Sequence, residues 1–316
     1  MSFFERNMHK TIVLRLLFLV LVGIAITGCN LNVQESTPTV GVPTITIAPT
    51  VTDTPEPSLT PTEQVVYAAV VNGEGVRLSG FEASLLQLEQ AIAGYPDLFA
   101  DELRAPQEMV LAALIERALL AQAARASGFS ADPSLVAERI SQLTIQAGGE
   151  EAWNGWLEQN GYTRETFLLE LPLEIEAAWQ RDQIAAGVPE RMEQVRARQI
   201  LFYDPFQAAR AYDQLQAGIS FESILENNDP NDLGYLDWFP RGVLLLPELE
   251  EIFFSLTPGQ HSQVIETEIG YHILYVIEKD PAHPLSSEIR LMLEEQAVAD
   301  WLAQQQAQAD IQILLP

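Results

Sequence analysis

A change of period at Val188-Pro189 limits the folds open to this chain of 316 residues. Before it, apolar residues recur at helical spacing; after it, short β-prone runs alternate with a helix, so no single helical bundle or single sheet accommodates both halves. In "PQEMVLAALIERALLAQAARASG", Val110, Leu114, Ala118 and Ala121 share one face with Leu111, Ile115 and Leu119 beside them, and Gly128 supplies a stop. Asp132 and Pro133 predict a capped helix that runs to Gly148-Gly149. Two further helical segments follow, "EAWNGWLEQNG" and "TRETFLLELPLEIEAAWQRDQIAAG", the second expected to bend where Pro172 removes a donor. Ahead of them, "VVYAAVVNGEGV" predicts a strand and a turn at Asn72-Gly73. Beyond Val188-Pro189 come "RARQILFY", "PFQAARAYDQLQAG" and "QVIETEIGYHILYVIE". The chain then returns to helix in "SEIRLMLEEQAVADWLAQQQAQA" and ends in the β-prone "DIQILLP". Helices first and strands later argue against a two-lobed solute-binding fold, in which both types alternate throughout.

The N-terminus places this body outside the cytoplasm. Arg6, Lys10 and Arg15 flank or precede an apolar run, Leu16 to Ile26, which is shorter than the roughly 20 residues that span a bilayer. Residues 1–28 are therefore expected to be a cleaved signal. The run ends in "ITGC", which resembles the lipobox of bacterial lipoproteins and implies that Cys29 is the lipidated first residue. An uncleaved anchor ending at a free thiol is the alternative. Cys29 is the only cysteine, so no intramolecular disulfide forms and packing alone must hold the domains. Ser36 to Thr62 is Thr/Pro-rich and has no apolar periodicity, which makes 29–63 a linker. In polyproline II form it would extend on the order of 80 Å at about 3.1 Å per residue. The formal charge of −27 repels phosphate backbones and anionic headgroups, so nucleic acid is excluded as a partner. The same field favours solubility and leaves room for basic clients.

One long ordered string carries a family resemblance. "VRARQILF", "LQAGISFESILENNDP", "DLGYLDWFPRG" and "LPELEEIFFSLTPGQHSQVIETEIGYHILYVIE" follow one another over residues 195–279. This resembles the parvulin-type peptidyl-prolyl isomerases, and within them the secreted PrsA-like and SurA-like foldases. "VVNGEGV" and "GGEEAWNGWLEQNGYTRETF" are similar to the helical chaperone domain of those foldases. The resemblance implies an α+β architecture: a mainly helical chaperone domain, 64–190 completed by 285–316, with an inserted parvulin-like domain, 191–284, built on a small antiparallel sheet flanked by helices. It further implies that "DIQILL" pairs with "VVYAAVVNG".

The implied activity is cis-trans isomerisation of X-Pro bonds in exported polypeptides, with no metal or cofactor. By the resemblance the polar groups are His272, Thr267, Asp229 and Gln199, and the apolar slot falls on Leu245, Leu249 and Phe254. Three departures stand out: Gln199 where the family has histidine, a short loop after Asp229, and leucines for slot aromatics. Gln donates and accepts hydrogen bonds but carries no proton or charge. Alternatives therefore stay open: Asp229 as a turn residue before Pro230, the slot residues as core, and the whole domain as an inactive module that only binds unfolded clients. Strand alternation puts Ala197, Gln199 and Leu201 on one face and Arg198, Ile200 and Phe202 on the other.

Overall fold

The computed structural model describes residues 65–94, 105–229 and 234–315; the expected signal, Cys29 and the Thr/Pro-rich linker lie outside them. Two compact units result, one made of residues up to Ala177 together with those from Ala309 onward, the other of Ala178–Gln308.

The first unit opens with a hairpin, β1 (Tyr67–Val71) and β2 (Glu74–Arg77), paired antiparallel. Its turn, Asn72-Gly73, has both residues at positive φ, 52° and 84°, the conformation that matches the twist of the flanking strands. Helices α1 (Leu78–Gly94), α2 (Pro106–Ala126), α3 (Pro133–Ala147), α4 (Glu150–Gln159) and α5 (Arg164–Ala185) follow, the last running on into the second unit. The face read from the sequence is the one α2 buries: Val110, Leu111, Leu114, Ile115 and Leu119 pack with Ala68, Ala69 and Val71 of β1 and with Phe81 and Leu88 of α1. Asp132 caps α3 by accepting from the amides of Ser134 and Leu135, and Gly148, at φ 98°, closes it. A separate aromatic core joins Trp153, Trp156, Tyr162 and Phe167 around Leu143 and Leu157. Helix α5 continues through Pro172.

Ion pairing in this unit is unusually deep. The Arg117 guanidinium, on α2, pairs with Glu170 and with Glu174 at 2.8 Å, and both Arg117 and Glu170 are buried. Burial opposes the charge, but the carboxylates of Glu174 and Glu170 outweigh it and raise the pKa further.

The second unit is built on a four-stranded antiparallel sheet. Its strands are β3 (Arg191–Phe202), β4 (Tyr235–Phe239), β5 (Ile265–Thr267) and β6 (Gly270–Pro284), in the order β4-β3-β6-β5. Helices α6 (Pro205–Gln216) and α7 (Phe221–Asn228) cover one face, packing Ala208, Ala211, Phe221 and Leu225 on Ile200, Phe202 and Ile273. Helix α8 (Pro247–Ser255) covers part of the other, packing Leu249, Phe253 and Phe254 on Val195, Ala197, Leu274 and Val276. Helix α9 (Ser287–Gln306) falls within this second unit and buries only Leu302 among its residues. After α9, β7 (Ile311–Ile313) pairs antiparallel with β1, so the extreme C-terminus completes the sheet of the first unit.

Candidate active site

The two central strands bring Gln199 and His272 together. In the β3–β6 ladder Gln199 stands opposite Leu274 and Leu201 opposite His272, so the two polar side chains are diagonal neighbours on one face. Both lie on the face that α8 partly covers, the side on which alternation puts Ala197, whereas Ile200 and Phe202 pack under α6 and α7. His272 Nδ1 lies 3.2 Å from Gln199 Oε1, and Thr267 Oγ1 lies 2.9 Å from His272 Nε2. With the Gln199 amide assigned this way round, Nδ1 carries the proton and donates to Oε1, and Nε2 takes the single hydroxyl hydrogen of Thr267 in place of Gly270 O. That hydroxyl also has Gly270 O within 3.2 Å.

The imidazole is 1% exposed. Burial disfavours its charged form and lowers its pKa below the ordinary 6.5, with Glu248 pulling weakly the other way. A buried, neutral ring with one defined proton position is a fixed dipole and hydrogen-bond relay; the glutamine at 199 suits it, because a neutral partner does not promote the imidazolium. Glu248 was not singled out from the sequence. Its position in the first turn of α8, next to Pro247, was the available signal.

Thr267 is placed by the β5–β6 hairpin, whose two-residue turn is Glu268-Ile269. Gly270 closes this hairpin at φ 142°, and a Cβ there would come within 2.6 Å of Phe202 O. Asp229 follows α7, and its carboxylate accepts from the Gly234 amide at 2.7 Å. Gly234 O in turn accepts from Gln199 N at 2.8 Å. Asp229 is thus tied to the backbone of Gln199 through Gly234. Leu249 and Phe254 are buried in the α8 core, and the Arg241 guanidinium lies 4.2 Å from the Phe254 ring centre. Leu245 stands outside that core and is 58% exposed. The structure therefore joins Gln199, His272 and Thr267 directly, while two of the three slot residues take core positions.

Comparison with known proteins bears on the two domains. The SurA-like N-terminal domain family matches residues 1–177, and the PPIC-type PPIase domain family matches residues 205–278. The chain is 26% identical over 230 residues to "Foldase protein PrsA" of Caldanaerobacter subterraneus, covering 65% of this chain and 71% of that protein. It is 26% identical over 137 residues to "Parvulin-like PPIase" of Rickettsia typhi, covering 39% of this chain and 48% of that one. A crystal structure of the peptidylprolyl isomerase PrsA from Bacillus cereus aligns with 75% of this chain and 87% of its own at 20% identity and a TM-score of 0.44. The chain belongs to the family of proteins with a SurA-like N-terminal domain and carries behind that domain a PPIC-type PPIase domain, the make-up of an extracytoplasmic foldase of the peptidyl-prolyl cis-trans isomerase type.

Proposed function

We propose that the PPIase domain rotates X-Pro bonds of exported polypeptides at the Gln199–His272–Thr267 network. The observation that carries this reading is the hydrogen-bonded chain itself: two polar side chains, Gln199 of β3 and Thr267 of β5, converge on the buried neutral imidazole of His272 on β6. The reaction breaks no covalent bond. It has only to lower a rotational barrier of about 18–20 kcal/mol, and unaided X-Pro bonds turn over in tens to hundreds of seconds. Oriented dipoles that favour the twisted amide over the planar one are sufficient in kind, provided that they are fixed before substrate arrives. Leu245 supplies exposed apolar surface for the ring, backed by Leu249 and Phe254, and Asp229 acts by holding Gly234 against Gln199.

Around this site we assign the remaining parts. Residues 1–28 direct export, Cys29 takes the lipid that attaches the protein to a membrane, and 29–63 is its tether. The described helices include none long and apolar enough to cross a membrane. Residues 64–190 with 285–316 hold unfolded clients, and 191–284 isomerise them. A second reading, a holdase without catalysis, is favoured by Gln199 in place of the family's histidine. An assay of cis-trans interconversion on short X-Pro peptides separates the two. Acceleration by the full chain that is lost in His272→Ala supports the enzyme, and no acceleration above buffer supports the holdase.

A further inference from the structure

The end of the isomerase sheet next to this network carries an exposed apolar surface that folding does not explain. Tyr203 is 82% exposed, Phe206 77% and Ile269 52%. Tyr203 directly follows β3, Phe206 sits in the first turn of α6, and Ile269 occupies the β5–β6 turn. Phe202 pairs with Tyr271 and the Gly270 backbone abuts Phe202 O, so these segments meet at one edge, and Thr267 of the site network belongs to the same hairpin. Three carboxylates accompany them: Asp204, Glu266 and Glu268. Asp204 caps α6 through the Phe206 amide, and Glu266 accepts from Tyr271 Oη at 3.3 Å. The field of Glu266, with a smaller part from Asp204, raises the pKa of Tyr271, which places both acids at this edge.

Aromatic faces beside carboxylates favour one kind of ligand, a cationic side chain with an apolar stem. The carboxylates attract the charge, the rings take cation–π and stem contacts, and a chain with 44 acidic and 17 basic residues repels the opposite case. Glu266 and Tyr271 lie on the α6 side of the sheet and the network on the α8 side, so the surface adjoins the site around the end of the sheet, at the Glu268-Ile269 turn beside Thr267. We infer that Tyr203, Phe206 and Ile269, with Asp204, Glu266 and Glu268, form a subsite for lysine- or arginine-bearing residues of the client that flank the X-Pro bond held at the Gln199–His272–Thr267 network. This inference rests on the proposed isomerase reading for its place in the reaction but not for its binding chemistry. Its consequence is a client preference: basic segments around proline are engaged and acidic ones are turned away.

Two measurements on the full chain test the subsite independently of that reading. Labelled peptides with one X-Pro core and flanks of Lys, Ala or Glu are titrated by fluorescence anisotropy at low and high salt, and the same peptides are used in the isomerisation assay. The Lys-flanked peptide is expected to bind about fivefold tighter than the Ala-flanked one at low salt, as the sum of a few exposed ion pairs, with the difference shrinking at high salt. Glu266→Gln combined with Glu268→Gln should remove most of the preference, and Tyr203→Ala combined with Phe206→Ala should weaken all three peptides, in KM rather than kcat. If binding is charge-selective and the variants abolish that selectivity while no peptide is isomerised, the subsite stands and the isomerase reading fails. Equal binding of Lys and Glu flanks, or a preference that survives both double variants, overturns the subsite.

Discussion

Replacing Gln199 with alanine removes the acceptor of His272 Nδ1 and leaves the ring itself in place. The ring is 1% exposed, so water does not simply replace the lost oxygen at 3.2 Å. A buried donor left without its partner costs about 1–3 kcal/mol. If that loss is felt while the amide is twisted, the rate falls by roughly five- to hundredfold. Histidine at 199 supplies a ring nitrogen able to bond His272, so Gln199→His should retain more activity than Gln199→Ala. The assay is isomerisation of a short X-Pro peptide by the parent, Gln199→Ala, Gln199→His and His272→Ala, each with its denaturant midpoint measured. Denaturation separates a misplaced ring from a lost fold. Equal rates in the parent, Gln199→Ala and His272→Ala would refute the argument and make the network structural. A parent without activity that gains it through Gln199→His would show instead that the domain has become a binding module.

Four further outcomes are expected. Cys29→Ala should release the protein from the membrane fraction; continued attachment through an acyl chain after signal removal would contradict the lipid assignment. Gly234→Ala should destabilise the second unit and slow isomerisation, because its Cβ would fall 1.9 Å from Gln199 O and force the two backbones apart; a parent-like denaturant midpoint would contradict this. Arg117→Leu should cost up to about 3–5 kcal/mol by leaving buried Glu170 with Arg77 alone at 3.7 Å, a loss read from denaturant unfolding, and substituting apolar residues at both 117 and 170 should recover part of it. His272 has a pKa below 6.5, so the unfolded state binds its proton first as pH falls. Its neutral form contributes stability fully above pH 6.5, and this is lost as pH drops from there towards the folded-state pKa, so the parent should lose denaturant resistance over that window faster than His272→Gln does.

Much of the architecture is local chemistry and is therefore legible in the chain. Asn72-Gly73 specifies its hairpin because both positions take positive φ, Asp132 with Pro133 starts a helix because it meets amides that the helix leaves free, and the period of α2 names the face it buries. Alternation alone put Gln199 on the opposite side from Ile200 and Phe202. What alternation does not contain is the partner across the sheet. The bond between Gln199 and His272 joins residues 73 apart in sequence, and its existence depends on the β3–β6 register. The same limit explains why Leu245, Leu249 and Phe254 looked alike as candidates for the slot: they are all apolar, and only the seating of α8 on the sheet decides that two are core and one is exposed. That the Asp229 carboxylate meets the Gly234 amide, five residues on, is likewise decided by the fold. Arg117 and Glu170 read as ordinary charges on helical segments, and their burial follows from the packing of their two helices. The sequence by itself determined the periods, caps, turns and family string, because these depend on residues within a few positions of one another. Tertiary structure alone decided register, burial and the partners of the polar groups, because those depend on which surfaces meet after the chain has closed on itself.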